Sequence, residues 1–331
     1  MSEPPSAASL FRDIQAQSLP QLLTSVLYDT SALGSTFIPT LDEHLNPTRP
    51  MSACKRGDVI EVQGQAASGK SHMLYYLLIN CVLPPSFGSV KLNGWGKAAV
   101  LLDTDLKFDV QRFGQLLRSR VQRLITLDSA NVEDLITTAL DRLHVFQPTS
   151  SHQLAATVQH LPKYLATNLP EADLGILAVD SITAFYWSDR YLLEQSRPGN
   201  SSNASSTRAK KPLNHVFAAL KYLAQSHGPL ILLSSWDLSP PSSVQTRRRL
   251  DPLVAQSNAS NLAEDVLPIS HHINLTASSV TTGEGGALVI DTEIDTSLTS
   301  TTCLSGTVRT PGNPQATKFT LHVTKTDLIA P

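Results

Sequence analysis

One octapeptide restricts the fold of this chain more than any other feature of its sequence. Residues Gly64–Ser71 read GQAASGKS and match the pattern G-x-x-x-x-G-K-[ST]. A strand is predicted before it at Val59–Val62 and a helix over Lys70–Val82, and a phosphate-binding loop requires this strand–loop–helix context. A chance match at an ordinary turn is the alternative.

The loop positions each have a chemical reason. Gly64 and Gly69 let the backbone turn tightly, so that amide N–H groups and the positive end of the following helix face an anion. Lys70 would reach the β and γ phosphates, and the Ser71 hydroxyl would ligate Mg²⁺. The sequence therefore predicts a site for ATP and Mg²⁺ formed by Gly64, Gln65, Ala66, Ala67, Ser68, Gly69, Lys70 and Ser71.

Carboxylates follow two further apolar segments. Asp180 comes directly after Leu174–Val179, where phosphate-loop proteins place the aspartate that holds Mg²⁺ through water. Capping the turn is the alternative role for Asp180. Asp103 and Asp105 end the segment LLDTD, at the sheet edge where ligands of open α/β folds collect. We expect one of these two to activate the attacking water, unless both only form the turn.

Short β-branched segments alternate with helical periodicity from about residue 57 to residue 238. This pattern predicts an α/β fold whose central sheet is mainly parallel and flanked by helices. The further predicted strands are Ala98–Leu102, His144–Phe146, Leu174–Val179 and Leu230–Leu233. The further predicted helices are Phe108–Ile125, Val132–Leu140, His152–Leu165 and Leu213–Ala224.

The ends of the chain follow other patterns. Residues 1–55 are expected to form a leader with one short helix at Leu19–Leu27, and residues 56–238 the core. Residues 239–331 are expected to form a flexible loop and an antiparallel β-meander that completes the same sheet. The strands predicted for this meander are Ala287–Ile290, Thr302–Val308 and Phe319–Val323.

The composition excludes several classes of protein. Of the 331 residues, 41% are hydrophobic and 16% charged, which excludes a wholly disordered chain or a coiled coil. The formal charge of −2 gives no overall positive field, so nucleic-acid binding needs local basic patches. Three widely spaced cysteines indicate neither a disulfide framework nor a zinc site. No targeting or membrane segment is evident, so we expect an intracellular protein without a membrane partner.

Three strings resemble a known family. RGDVIEVQGQAASGKS, LLDTDLKFD and LAVDSITAFYWSDR resemble the RecA-like recombinases and, more narrowly, their eukaryotic paralogues. The resemblance is specific from about Gly57 to Asp189. It implies a RecA-like P-loop ATPase core in a non-filamenting subunit of a recombinase paralogue complex, which acts on single-stranded DNA in homologous recombination. It also implies that Gly64–Ser71 is the Walker A loop, that Asp180 is the Walker B aspartate, and that Asp105 replaces the catalytic glutamate.

Two positions depart from the recombinase pattern. Asp105 is one methylene shorter than glutamate, so a water that it orients would sit about 1.5 Å from its usual place, and a displacement on the order of 1 Å can cost roughly 100-fold in rate. Trp236 stands where recombinases carry a glutamine that senses the γ phosphate, and an indole donates one hydrogen bond but accepts none. We therefore expect weak or absent ATP hydrolysis and impaired coupling of nucleotide to DNA.

Two long segments fall where RecA-like proteins place their DNA-facing loops. Both contain clustered cations, which would bind phosphates without sequence preference; a solvated insert is the alternative. The candidate DNA-binding residues are Arg197, Arg208, Lys210, Lys211, Arg247, Arg248 and Arg249. Tyr186 and Trp187 are expected in the core or at a subunit interface, with base stacking as the alternative.

Three functions agree with these patterns. The first is an accessory recombinase paralogue in the repair of DNA double-strand breaks by homologous recombination, which binds nucleotide and acts through a paralogue complex in the nucleus. The second is a catalytically active DNA-dependent ATPase or recombinase. The third is a metabolic P-loop kinase, for which no acceptor-binding residues are recognisable. The complete phosphate loop beside altered catalytic and sensor positions favours the first.

Overall fold

The computed structural model describes residue 26 and residues 32–124, 129–169, 172–195, 212–236, 267–280, 301–324 and 326–330. Its helices are α1 (Pro39–Leu45), α2 (Lys70–Val82), α3 (Val110–Leu124), α4 (Ser129–Leu140), α5 (Ser151–Asn168), α6 (Tyr186–Gln195) and α7 (Pro212–His227). The strands of the first half are β1 (Val59–Gly64), β2 (Ser86–Phe87), β3 (Val90–Lys91), β4 (Ala98–Asp103) and β5 (Leu143–Phe146). The later strands are β6 (Leu174–Asp180), β7 (Leu230–Trp236), β8 (His271–Val280), β9 (Thr301–Arg309), β10 (Ala316–Val323) and β11 (Leu328–Ile329).

One nine-stranded mixed sheet organises the described part of the chain. Its strand order is β11-β10-β9-β8-β1-β7-β6-β4-β5, and β2 pairs only with β3 in a separate hairpin. The six strands from β8 to β5 run parallel, whereas β9, β10 and β11 are antiparallel. The predicted fold class is therefore confirmed: a mainly parallel sheet flanked by helices and continued by a C-terminal antiparallel meander.

The parallel strands are buried because helices cover both faces of the sheet. Every residue of β4 is buried, and so are the first six residues of β6 and of β7. On one face, apolar side chains of α1 to α4 pack against the sheet, and on the other face α5 and α7 do so. In β10 buried and more exposed residues alternate, as expected for a sheet with one covered face. The phosphate loop follows the last residue of β1, so it lies at the edge of the sheet where the parallel strands have their carboxyl ends.

Several predicted elements have matching bounds, and others were missed. The predicted helix Lys70–Val82 coincides with α2, and the predicted core strands lie within β1, β4, β5, β6 and β7. The strand predicted at Ala287–Ile290 lies outside the described residues; β8, which was not predicted, pairs with β9. The sequence patterns also missed α1 and α6.

The N-terminal part of the chain contributes directly to the core. Ile38, Leu41 and Leu45 of the α1 region are at most 5% exposed. The helix predicted at Leu19–Leu27 lies outside the described residues, apart from the helical and exposed Val26. The division of the chain at residues 55 and 238 stays a prediction. Among the helices of the described residues, none is both long and apolar enough to span a membrane.

Candidate phosphate-binding site

The backbone of the loop between β1 and α2 requires glycine at two positions. Gly69, directly before α2, has φ +90°, and a Cβ there would lie 2.4 Å from Cδ1 of Leu304 on β9. A Cβ on Gly64 would lie 2.3 Å from the Ser68 hydroxyl and 2.7 Å from the carbonyl oxygen of Leu275. Side-chain atoms do not approach this closely without a shift of their surroundings. The two glycines of the motif are therefore required by tight packing as well as by the turn.

A polar cradle results from this backbone. The Ser68 hydroxyl is buried and has no hydrogen-bond partner among the described residues. The loop ends at the first turn of α2, where backbone N–H groups lack partners within the helix and the helix dipole is positive. An unpaired buried hydroxyl is costly, and a bound anion would remove that cost. The loop therefore fits a phosphate group.

Lys70 is the cation of this cradle. Its Nζ donates hydrogen bonds to the carbonyl oxygens of Gly64 (2.9 Å) and Gln65 (2.8 Å). Burial lowers the pKa of Lys70, while the carboxylates of Asp180 and Asp105 act in the opposite direction. The side chain of Lys70 thus folds back over the loop, with its ammonium group against the backbone of the first two residues of the motif.

Asp180 joins the phosphate loop to the neighbouring strand β7. The Ser71 hydroxyl donates to Oδ2 of Asp180 at 2.7 Å, and the Ser234 hydroxyl donates to its Oδ1 at 2.5 Å. A serine hydroxyl and a carboxylate are oxygen ligands of the kind that Mg²⁺ prefers, with water and phosphate oxygens for the remaining positions. The described residues contain no cluster of three or more His, Cys, Asp or Glu side chains arranged for a metal. The donor set therefore fits Mg²⁺ bound together with a nucleotide rather than a protein-only metal site.

The two aspartates after β4 have different environments. The buried carboxylate of Asp103 accepts hydrogen bonds from the backbone N–H groups of Lys107 (3.0 Å) and Phe108 (3.1 Å) and from the Gln147 amide (3.2 Å). Asp103 thus forms the turn. Burial raises the pKa of Asp105, whose side chain also interacts with the charges of Lys107, Asp180, Asp103 and Lys70. Asp105, unlike Asp103, is not part of these turn hydrogen bonds, and its role as the water-activating carboxylate stays a prediction.

Trp236 occupies the end of β7 beside the loop. Trp236 pairs with Gly64, the first residue of the motif, where β7 runs parallel to β1. The backbone N–H of Trp236 donates to Oγ1 of Thr183 at 3.2 Å. The indole is 43% exposed, and Nζ of Lys107 lies 6.0 Å from its ring centroid. The candidate sensor position therefore carries an aromatic ring with a cation next to it.

Two participants were missed by sequence reasoning. Ser234 donates to Asp180, and Lys107 lies over Trp236. In the sequence, Ser234 and Ser235 are indistinguishable, but adjacent strand residues point to opposite faces, and Ser235 instead donates to Glu61. Lys107 follows a turn whose direction depends on the contacts of Asp103. No local pattern identifies either residue.

The remaining candidate residues fall into two groups. The predicted DNA-binding residues, Arg197, Arg208, Lys210, Lys211, Arg247, Arg248 and Arg249, lie outside the described residues. Tyr186 and Trp187 lie on α6, which has no buried residue, and Trp187 is 66% exposed. Of the two predicted places, core or subunit interface, the structure rules out the core for these aromatics, because α6 is not covered by other described residues. An interface role for them stays a prediction.

Comparison with known proteins gives concordant results. No family model matches the chain. It is 28% identical over 238 residues to the DNA repair protein XRCC2 homolog of Arabidopsis thaliana, covering 64% of this chain and 60% of that protein. It is 34% identical over 134 residues to the DNA repair protein XRCC2 of Mus musculus, covering 40% and 43%. It is also 27% identical over 157 residues to the DNA repair and recombination protein RadA of Methanoculleus marisnigri, covering 46% and 43%.

The fold and these similarities together support one class of protein. A mainly parallel sheet, a phosphate loop that closes on Asp180 and the similarity to RadA support a RecA-like core, and relatives of this class imply nucleotide binding. Within the class, the similarities support an XRCC2-like RecA paralogue. The matched regions span about 60% and 43% of the two XRCC2 relatives.

Proposed function

We propose that the chain is an accessory recombinase paralogue subunit in the repair of DNA double-strand breaks by homologous recombination. Two relatives named DNA repair protein XRCC2 and one named DNA repair and recombination protein RadA support this proposal. The partners would be other recombinase paralogues in a hetero-oligomer, which would contact single-stranded DNA in the nucleus. The exposed Trp187 and Tyr191 on α6 support a partner surface, since aromatic side chains are enriched at protein interfaces.

The observation that carries the proposal is a complete phosphate loop next to altered catalytic positions. Ser71 lies 2.7 Å from Asp180, as a site for a nucleotide and Mg²⁺ requires. Beside it stand Asp105 in place of a glutamate and Trp236 in place of a glutamine. This combination supports a subunit that binds ATP and hydrolyses it slowly or not at all, because Asp105 is too short to orient water in the usual place.

Different residues of the site would bind the phosphates, the Mg²⁺ ion and a water molecule. The backbone N–H groups of Gly64–Ser71 and the ammonium of Lys70 would hold the phosphates, for which Lys70 would give up its bonds to Gly64 and Gln65. Ser71 would ligate Mg²⁺ directly and Asp180 through water, while Ser234 would keep the Asp180 carboxylate in place. When bound, Mg²⁺ would neutralise charge on the phosphate oxygens. Asp105 would hold a water near the terminal phosphate.

Nucleotide binding is tested with the purified full chain by calorimetry with ATP and Mg²⁺. In Lys70→Ala we expect the affinity to fall about 10- to 100-fold, because a hydrogen bond to a charged group contributes about 1.5–3 kcal/mol. Lys163→Ala removes an exposed lysine of α5 and is the matched control, expected to bind as the unaltered chain does. Equal affinities in all three proteins would refute the proposed site.

The accessory role is tested by hydrolysis and by affinity purification. We expect steady-state turnover of the isolated chain far below about 1 per second, the lower end of ordinary enzymes. Purification of the tagged chain from cells should recover recombinase paralogues. Turnover near 1 per second that single-stranded DNA stimulates would favour the active ATPase instead, and phosphoryl transfer to a small acceptor would favour the kinase.

A further inference from the structure

Backbone hydrogen bonds hold Lys107 at the edge of the phosphate-binding site. Its N–H and that of Phe108 donate to the two carboxylate oxygens of Asp103, which is 2% exposed. Leu106, the preceding residue, has φ +55°, so the chain turns sharply there. The turn therefore directs Lys107 by local contacts that do not depend on any ligand.

Trp236, whose ring lies beside Lys107, is also held in place. Trp236 pairs with Gly64 across the β1–β7 ladder, and its N–H donates to Thr183. Its ring is 43% exposed and lies 6.0 Å from the Lys107 ammonium. A cation at this distance from a partly solvated ring is only weakly attracted. The ring therefore holds the ammonium group of Lys107 less strongly than a hydrogen-bonded anion would.

The charges around Asp105 show what that partner would be. The Asp105 carboxylate interacts with the charges of both Lys107 and Lys70, and Lys70 itself interacts with Asp105 and Asp180. Both ammonium groups are thus close enough to Asp105 to act on its charge, and Lys107 also lies beside Trp236, the residue paired with Gly64 of the loop. A phosphate group next to Lys70 would lie in the field of both, and ammonium–phosphate hydrogen bonds are among the strong ones.

We propose that Lys107 is a second phosphate-binding cation, which leaves the face of Trp236 to bind the terminal phosphate of a nucleoside triphosphate. The pair would thereby distinguish a triphosphate from a diphosphate at the position where recombinases carry a glutamine. The fluorescence of Trp236 would change when Lys107 moves to the phosphate, because the indole ring would lose its adjacent cation. This inference rests on the proposed nucleotide site and adds to it the preference for the triphosphate.

Intrinsic fluorescence of the full chain tests the movement. The chain has three tryptophans; Trp95 is buried and donates to the carbonyl oxygen of Ser35, and Trp187 lies on α6. We expect a non-hydrolysable ATP analogue with Mg²⁺ to change the emission more than ADP does. Trp236→Phe should abolish this difference, whereas Trp187→Phe should retain it. A difference that persists in Trp236→Phe would overturn the inference.

Calorimetry with the same two nucleotides tests the preference. Lys107→Met retains the length of the side chain without its charge and should lower affinity for the triphosphate about tenfold, the size of one charge-assisted hydrogen bond. Its affinity for ADP should stay within about twofold. Lys107→Arg should keep most of the preference, and Lys163→Met on α5 should bind both nucleotides like the unaltered chain.

The outcomes separate this inference from the proposed function. If the unaltered chain binds nucleotide and Lys107→Met keeps the unaltered ratio of the two affinities, the role of Lys107 is wrong while the nucleotide site stands. If the unaltered chain binds neither nucleotide, both are wrong. If Lys107→Met weakens ADP and the triphosphate equally, Lys107 stabilises the loop rather than recognising the terminal phosphate, and the inference is again overturned.

Discussion

At the residue scale, the phosphate loop depends on two positions where any side chain would collide. Gly69 combines φ +90° with close contact to Leu304, and Gly64 faces Ser68 and the backbone of Leu275. Ser68 belongs to the loop itself, whereas Leu275 and Leu304 belong to β8 and β9, far along the chain. The motif pattern thus identifies the glycines, but the meander supplies part of the reason for them.

Gly69→Ala should lower the free energy of unfolding by about 2–4 kcal/mol, since a positive φ costs roughly 1–2 kcal/mol and the overlap with Leu304 adds to it. Denaturant unfolding followed by circular dichroism measures this. The matched control is Gly88→Ala, which also has a positive φ, +57°, but would meet no atom within 4 Å. Equal losses in the two variants would show that the contact with Leu304 costs nothing.

At the element scale, a buried carboxylate links three neighbouring strands. Glu61 of β1 is 2% exposed. It accepts a hydrogen bond from the Ser235 hydroxyl of β7 at 2.7 Å, and its other oxygen lies 3.0 Å from Nδ1 of His272 on β8. Ser235 lies near the end of β7 and His272 near the start of β8. Glu61 therefore holds together both strand ends that flank the long connection between them.

Glu61→Ala should destabilise the fold by about 2–4 kcal/mol, because the buried Ser235 hydroxyl loses its acceptor and a cavity remains. Glu61→Gln keeps the size and one acceptor, and its loss should be about half as large. Ser235→Ala should cost about 1 kcal/mol, the value of one hydrogen bond. Thermal or denaturant unfolding of the three variants gives the order, and a negligible loss in Glu61→Ala would contradict the linking role.

Local patterns predicted the elements of the parallel core better than those elsewhere. The strands of the core are short apolar segments between helical segments, so their periodicity is visible in the sequence. By contrast, α1 has seven residues, too few to show a period. Strand β8 reads HHINLTASSV, and its polar residues conceal the buried apolar positions Ile273 and Leu275, while a third buried position carries His271. Both elements exist because they pack against partners distant in sequence.

At the scale of the whole molecule, histidines join the first described helix to the C-terminal strands. Nδ1 of His44 on α1 lies 2.8 Å from Oγ1 of Thr317, and its Nε2 lies 3.0 Å from Oγ1 of Thr310. Nδ1 of His271 lies 2.8 Å from the same Thr310 oxygen. The two hydrogen bonds of His44 thus connect residues more than 200 positions apart. A threonine hydroxyl can donate to a ring nitrogen or accept from a ring N–H.

Stability should therefore decrease with acidification. Burial, with the nearby His44, Lys55 and His272, lowers the pKa of His271 from 6.5 to about 4. Below pH 6.5 the unfolded chain binds a proton at His271 that the folded chain does not, so the free energy of unfolding falls as pH falls from about 6.5 to about 4. The full effect is about 3 kcal/mol, at about 1.36 kcal/mol per pKa unit.

Denaturant unfolding at pH 7.5, 6.0 and 5.0 measures this dependence. His271→Asn keeps a hydrogen-bonding side chain without a titrating group, and its unfolding free energy should vary less over the interval. Burial also lowers the pKa of His44. In the double variant His271→Asn/His44→Asn, the unfolding free energy should therefore depend on pH even less than in His271→Asn alone. If the unfolding free energy of His271→Asn depends on pH as strongly as that of the unaltered chain, other groups cause the acid sensitivity.

Two kinds of information thus define the candidate site. The GQAASGKS loop, its helix and the strand before Asp180 follow from backbone preferences and periodicity within a few neighbouring residues, which a sequence displays directly. The separate roles of Asp103 and Asp105, the bond from Ser234 to Asp180 and the position of Lys107 over Trp236 depend on sheet register and on turn contacts. Those relations join residues that are distant in the chain, and only packing of the folded molecule brings them together.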